Sequence, residues 1–251
     1  MLRKIFAVTL VFALMLVMSA SAQTVDELIA KNIQARGGME KLKAAKSMQM
    51  TGKMMMQGGM EAPFILQAKR PEMARMELTI QGMTMVQAYD GQTAWWIMPF
   101  AGSKDPEKMP EDQAKDMIEQ ADFDGTLVNY KDKSHTVEPL GKEDMEGTEV
   151  YKLKVTLKNG DLRYVYLDAE NFLELKWTGK RKQQGAEIEV DTYFGDYKTV
   201  NGLVLPHSFE SKIKGQTAMQ MTVEKIELDV AMDDAAFKMP ATTKAAESAK
   251  Q

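Results

Sequence analysis

The chain has 251 residues, 44% hydrophobic and 27% charged, with a formal net charge of −4 and no cysteine. The balance is ordinary for a globular protein, the missing cysteine excludes disulfides, thiol catalysis and thiolate metal sites, and the acidic charge argues against a nucleic-acid partner. The outlier is methionine, with 22 residues.

Residues 1–22 have the form of a secretory signal peptide. Arg3 and Lys4 are the basic start, 5–17 the apolar run, and Ala20-Ser21-Ala22 the small-residue cleavage site. The apolar run is short for a bilayer span. Lipidation would need a cysteine at the cleavage point. The expected mature chain starts near Gln23 and is soluble, periplasmic and not lipidated, with no integral membrane segment after processing.

Thr24 followed by Glu27 is a capping box. It predicts a helix that carries Leu28, Ile29 and Ile33 on one side and stops at Gly37-Gly38. A short second helix is expected over 39–45. Residues 48–100 then alternate as five strands. Met48, Met50, Gly52, Met54 and Met56 share one face of the first. Gly58-Gly59 turns the chain into Ala62, Phe64, Leu66 and Ala68. After Pro71 come Ala74, Met76, Leu78 and Ile80, and after Gln81-Gly82 a strand over 83–89 that includes Met85. Asp90-Gly91 is a hairpin signal. It leads to Trp95 and Ile97, expected inside, with Trp96 outside.

Residues 99–110 hold three prolines and read as a loop. Over 111–121, Ala114, Met117, Ile118 and Ala121 have helical spacing. This insertion has two readings, a lid over what the sheet encloses or a packed connector. Asp122 and Asp124 lack the remaining ligands of a calcium loop. Strands resume over 136–140, followed by a charged turn at 141–147 and further strands over 151–157, 162–167, 173–177 and 186–194. Ile188 and Val190 are expected inside, against Glu187, Glu189 and Asp191 outside. A strand over 203–212 is broken by Pro206. Beyond Gly215, Met219, Met221 and Val223 give way to Ile226, Leu228 and Val230, a slip of register that a β-bulge produces. Phe237 and Pro240 end a single expected domain, 23–240. Residues 241–251 are expected to be a disordered tail.

The predicted fold class is mainly β (α+β), with eleven or twelve antiparallel strands and three short helices. A sheet so large must curl or close. The chain resembles the outer-membrane lipoprotein-sorting proteins of the periplasmic lipoprotein-carrier and receptor (LolA/LolB-like) superfamily. The resemblance is carried by Tyr89-Asp90-Gly91 with Trp95-Trp96, Val150-Tyr151-Lys152-Leu153, Tyr166-Leu167-Asp168, Phe194-Gly195-Asp196-Tyr197, Val200-Asn201-Gly202, Leu205-Pro206-His207 and Phe237-Lys238-Met239-Pro240. It covers essentially the whole expected mature chain. The resemblance implies a half-open, strongly curved antiparallel β-barrel with helices plugging its concave face. It also implies acyl chains of a lipoprotein or lipid held inside, and membrane-bound donor or acceptor proteins as partners. No residue is identified as the counterpart of the arginine that dedicated carriers use near the cavity mouth. The receptor members are themselves lipoproteins, which this chain cannot be.

The apolar alternation and the resemblance together give a candidate hydrophobic cavity lined by Met48, Met50, Met54, Met56, Phe64, Leu66, Met76, Leu78, Met85, Trp95, Ile97, Met219 and Met221. Methionine specifies a packed core poorly because it is flexible; as a pocket lining the same flexibility lets it mould to varied acyl groups. The alternative is a compositional habit, since scattered core methionines are tolerated. No catalytic residue, metal ligand or cofactor is expected. His135 and His207 are the only histidines, Ser208 points away from its neighbour, and there is no nucleophile elbow, HExxH or phosphate loop. The alternative function is an interaction or sensory module with a filled core and a protein partner.

Overall fold

A computed structural model describes residues 23–183 and 186–242. The leader expected over 1–22, the turn residue Gly185 and the tail from 243 onward lie outside the described residues. Two helices, α1 (Val25–Ala35) and α2 (Met39–Ala44), precede β1 (Ser47–Met56), β2 (Met60–Lys69), β3 (Met73–Ile80), β4 (Met83–Tyr89) and β5 (Ala94–Ile97). The insertion holds β6 (Glu107–Lys108) and α3 (Glu111–Ala121). Then come β7 (Thr136–Met145), β8 (Thr148–Thr156), β9 (Leu162–Asp168), β10 (Glu174–Gln183), β11 (Ala186–Gly195), β12 (Lys198–Val200), β13 (Leu203–Leu205), β14 (Ser208–Ile213) and β15 (Gln216–Leu228).

Thirteen strands form one antiparallel sheet in the order β6-β5-β4-β3-β2-β1-β15-β14-β11-β10-β9-β8-β7, and β12 with β13 form a separate ribbon. The expected count was lower because β6, β12 and β13 have only two or three residues each. The sheet is curved but not closed: its outer strands are β6 and β7, so of the expected half-open barrel the structure has the large curved antiparallel sheet, with its edges unpaired. The predicted turn at 141–147 is also corrected. The strand runs on to Met145 through a register shift at Pro139/Gly141, and the turn is Glu146-Gly147.

β1 and β15 join the two ends of the chain at the centre of the sheet. Their register slips between Thr51 and Gly52, which face Lys225 and Val223, leaving Glu224 as the extra residue of the anticipated bulge. Gly52 is required there, because a Cβ would lie 2.1 Å from the Thr222 carbonyl oxygen. The helix caps follow the sequence. The Thr24 amide donates to Glu27 Oε2 at 2.9 Å, and the Glu27 amide donates to Thr24 Oγ1 at 3.2 Å. At the other end of α1, Gly37 has φ +112° and sits so close to the β12–β13 ribbon that a Cβ would meet the Gly202 oxygen at 2.3 Å.

The concave face carries three packed clusters. Leu42 and Ala45 of the α2 region lie with Met50, Phe64, Val223 and Ile226; Leu28 and Ile29 of α1 lie with Leu153, Val155, Val165 and Leu167; and Met117 and Ala121 of α3 lie with Ala74, Tyr89 and Ala94. The convex face of β3–β5 is covered by the segment after β15. Trp95 Nε1 donates to the buried Phe237 oxygen at 2.7 Å, and Arg75 Nη1 donates to the Ala236 oxygen at 2.8 Å.

Candidate functional site

Where α1 and α2 do not fill the concave face, a cavity of about 1540 Å³ remains. One wall comes from β1–β4 and β15, where period-2 alternation sends every second residue inward. It is built of Met54, Met56, Leu66, Met76, Leu78, Met85, Met219 and Met221. The opposite wall, from β9–β11 and β14, is mixed: Arg163, Trp177, Thr178, Ile188, Val190, Thr192, Phe194, Phe209 and Ser211.

Helix α3 lies between the walls. Its apolar side, Met117 and Ala121, is buried against β3–β5. Its charged side reaches the other wing. Lys115 Nζ is 3.1 Å from Asp161 Oδ2, Arg181 Nη1 is 3.0 Å from Asp116 Oδ2, and Arg163 pairs with Glu119. Strands β4 and β10 are seven positions apart in the sheet order. In a flat sheet they would be about 34 Å apart. One helix touches both only because the sheet curls around it. Arg163 also stacks its guanidinium over Trp177 at 4.4 Å and donates to Thr126 Oγ1 at 2.8 Å. Burial pushes the Asp116 carboxyl above its ordinary range, with Arg181 pulling against it.

Of the thirteen residues singled out from sequence, eight line the cavity. Met48, Met50 and Phe64 belong to the same cluster but are packed under the α2 region, not exposed to the open space. Trp95 and Ile97 are corrected to the other face: Trp95 is 1% exposed and packs with Val86, Ala88, Ile97 and Met239. Trp96 faces the cavity in its place. Residues 90–93 pair Tyr89 with Ala94 and hence Ala88 with Trp95, which sets this parity. The sequence reading also missed Met109 and Met117 on the insertion, and Arg163, Thr178 and Thr192 on the polar wall. For Thr192 the alternation marked the inward position, but a polar residue there gave no reason to select it; Thr178 falls on the opposite parity, paired with Asp191.

His135 and His207, and Asp191 and Glu187 on β11, have local partners. His207 is buried, with Nδ1 3.1 Å from the Leu205 oxygen. His135 has Nδ1 3.4 Å from the Thr126 oxygen, and burial lowers its pKa. Asp191 accepts from Thr178 Oγ1 at 2.5 Å, and Glu187 pairs with Lys180 at 3.1 Å. Among the described residues, no group of three His, Cys, Asp or Glu is arranged to hold a metal, and no helix is long and apolar enough to cross a membrane.

No protein-family model and no curated protein matches the chain. Solved structures share its fold. A DUF1329 family protein from Desulfovibrio piger is similar with a TM-score of 0.60 at 12% identity, covering 85% of this chain and 97% of that one. A LolA superfamily protein from Nitrosomonas europaea gives 0.57 at 14% identity, covering 86% and 98%. An outer membrane lipoprotein-sorting protein domain from Vibrio parahaemolyticus gives 0.54 at 13%, covering 84% and 97%. At these identities the likeness is one of fold.

Proposed function

We propose that this protein is a non-catalytic periplasmic binding or carrier protein for lipoproteins or other acylated lipids, and that it holds the acyl chain in the methionine-walled cavity. The observation that carries the reading is the open space of about 1540 Å³ against a wall in which six of eight side chains are methionine. It exceeds the range of ordinary small-ligand pockets, about 300–1,000 Å³. Thioether arms line such a space without fixing its shape, which suits chains of varied length and kink. Each methylene taken from water contributes about 0.8 kcal/mol, so a long chain offsets the ordering cost of binding. The mixed wall beyond it suits the polar end of an amphiphile. The shared fold of the lipoprotein-sorting domain supports the same reading. A filled-core interaction module accounts less well for the unfilled part of the concave face.

The test is native mass spectrometry with lipid extraction on protein purified gently from its own host. A co-purifying lipid or acylated peptide is expected. Met85→Asp, on the half-buried cavity wall, should lose it, while Met55→Asp, on the exposed convex face, should keep it. A clean unliganded mass, with no uptake of added fatty acyl probes, overturns the proposal.

A further inference from the structure

We infer that the β1–β15 end of the cavity is also a binding site for a soft monovalent cation, Cu(I) or Ag(I), held by the thioethers of Met54, Met56, Met219 and Met221. The strand register places Met54 directly opposite Met221 and Met56 directly opposite Met219. All four belong to one packed cluster and border the open space. Directly opposite residues have Cβ atoms about 5 Å apart, and i, i+2 neighbours on one face are about 7 Å apart. The four Cβ atoms therefore stand near the corners of a small rectangle whose centre is about 4 Å from each. A flexible thioether arm and a metal–sulfur bond of about 2.3 Å span that distance.

The donor set decides the metal. Thioethers are soft and neutral, and they select Cu(I) over Mg, Ca or Mn, which take carboxylate and carbonyl oxygens. Neighbouring positions on the same face are Gly52 and Ala62 on one side and Phe209 and Ser211 on the other; of these only the Ser211 hydroxyl is a polar donor, and a hard, neutral oxygen competes poorly with thioethers for a soft cation. There is also a way in. Met60 is directly opposite Met56 on β2 and is 46% exposed, whereas Met54 is 4% exposed. The thioethers thus run from solvent to the cavity floor. Because no ligand has to lose a proton, binding is insensitive to pH across the range in which histidine or carboxylate sites weaken.

This inference shares the cavity with the acyl reading but not its chemistry, and the two are separable. Leucine conserves the volume and apolarity of methionine while removing the sulfur. The experiment is titration of the mature chain with silver nitrate in chloride-free buffer. It is followed by native mass spectrometry and by the ε-methyl resonances of ¹³C-methionine. One Ag(I) per chain is expected, with shifts concentrated on Met54, Met56, Met219 and Met221 and equal uptake at pH 5.5 and 7.5. The quadruple Met→Leu variant should lose stoichiometric uptake yet keep its circular dichroism, and Met55→Leu should lose neither. Absence of stoichiometric uptake overturns the site. So does uptake that survives in the quadruple variant, or shifts centred on Met76, Met85 or Met117. None of these results bears on acyl binding.

Discussion

Arg70 is the residue on which three separate segments converge. Its guanidinium takes Asp124 in a two-pronged pair, Nη1 to Oδ2 at 2.9 Å and Nη2 to Oδ1 at 2.5 Å. It also donates to the Ala45 oxygen at 2.9 Å and the Leu42 oxygen at 2.8 Å, and stacks over Phe123 at 4.6 Å. The end of α2, the end of β2 and the loop after α3 are thereby tied together. Burial raises the Asp124 carboxyl, but the Arg70 hydrogen bonds outweigh it and hold the group below its usual range. A carboxyl lowered by folding stabilises the fold above its unfolded-state pKa, and that contribution is lost as pH falls through the lower folded value. Asp124→Asn is therefore expected to destabilise by about 3 kcal/mol at neutral pH, because it strands a mostly buried cation. Urea midpoints should show the gap narrowing below about pH 4; a gap that is constant with pH would exclude this account. The pair was illegible in the sequence because its members are 54 residues apart. Asp124 invited only comparison with a calcium loop, whereas its partner, like Lys133 for Asp122, is a cation. The exchange of Trp95 and Trp96 has a similar cause. Both faces of β4–β5 are covered, one by α3 and one by the Phe237 segment, so hydrophobicity did not distinguish them.

At the scale of elements, α3 is the insertion that the sequence left between lid and connector. One side packs on β3–β5 and the other forms ion pairs with β9, β10 and the turn before β9. The helical spacing correctly marked Ala114, Met117 and Ala121 as the packed stripe, but it included Ile118, which is 45% exposed. The stripe is narrower than expected because α3 presents its flanks to the cavity and to Arg163 and Arg181. Met117→Ala removes a side chain only 1% exposed and should cost about 2–5 kcal/mol. Ile118→Ala should stay within about 0.5 kcal/mol, as at most surface positions. Chemical denaturation of both variants checks the orientation of the helix; comparable losses would mean that it docks on a different face. Strand β9 was harder to read. Tyr164 and Tyr166 alternate as a core face would, yet the inward residues are Arg163, Val165 and Leu167. Tyr166 is buried from outside, by the amines of Lys152 and Lys176 at 5.1 and 4.4 Å from its ring. Lysine stems covering an aromatic reverse the usual polar-out pattern.

At the scale of the whole molecule, the strands and the inward faces of most were legible because alternation and Gly-containing turns are local. Whether thirteen strands close was not, because closure depends on the two ends of the sheet. Those ends explain why it stays open. β6 offers two residues, and β7 interrupts its own edge with Pro139, a register shift at Gly141 and the charges of Lys142, Glu143 and Asp144. Such devices keep an exposed strand from recruiting a partner. They leave the cavity accessible from the gap between the wings, which α3 spans. Removing them should convert the open edge into an adhesive one. Pro139→Val restores a backbone donor, and Lys142→Val with Glu143→Val strips charge from the strand. The triple variant is expected to self-associate more than the unaltered chain as concentration rises, measured by light scattering behind a sizing column, with its secondary structure intact. Equal masses for both proteins at every concentration would show that the edge is protected by something other than these three residues.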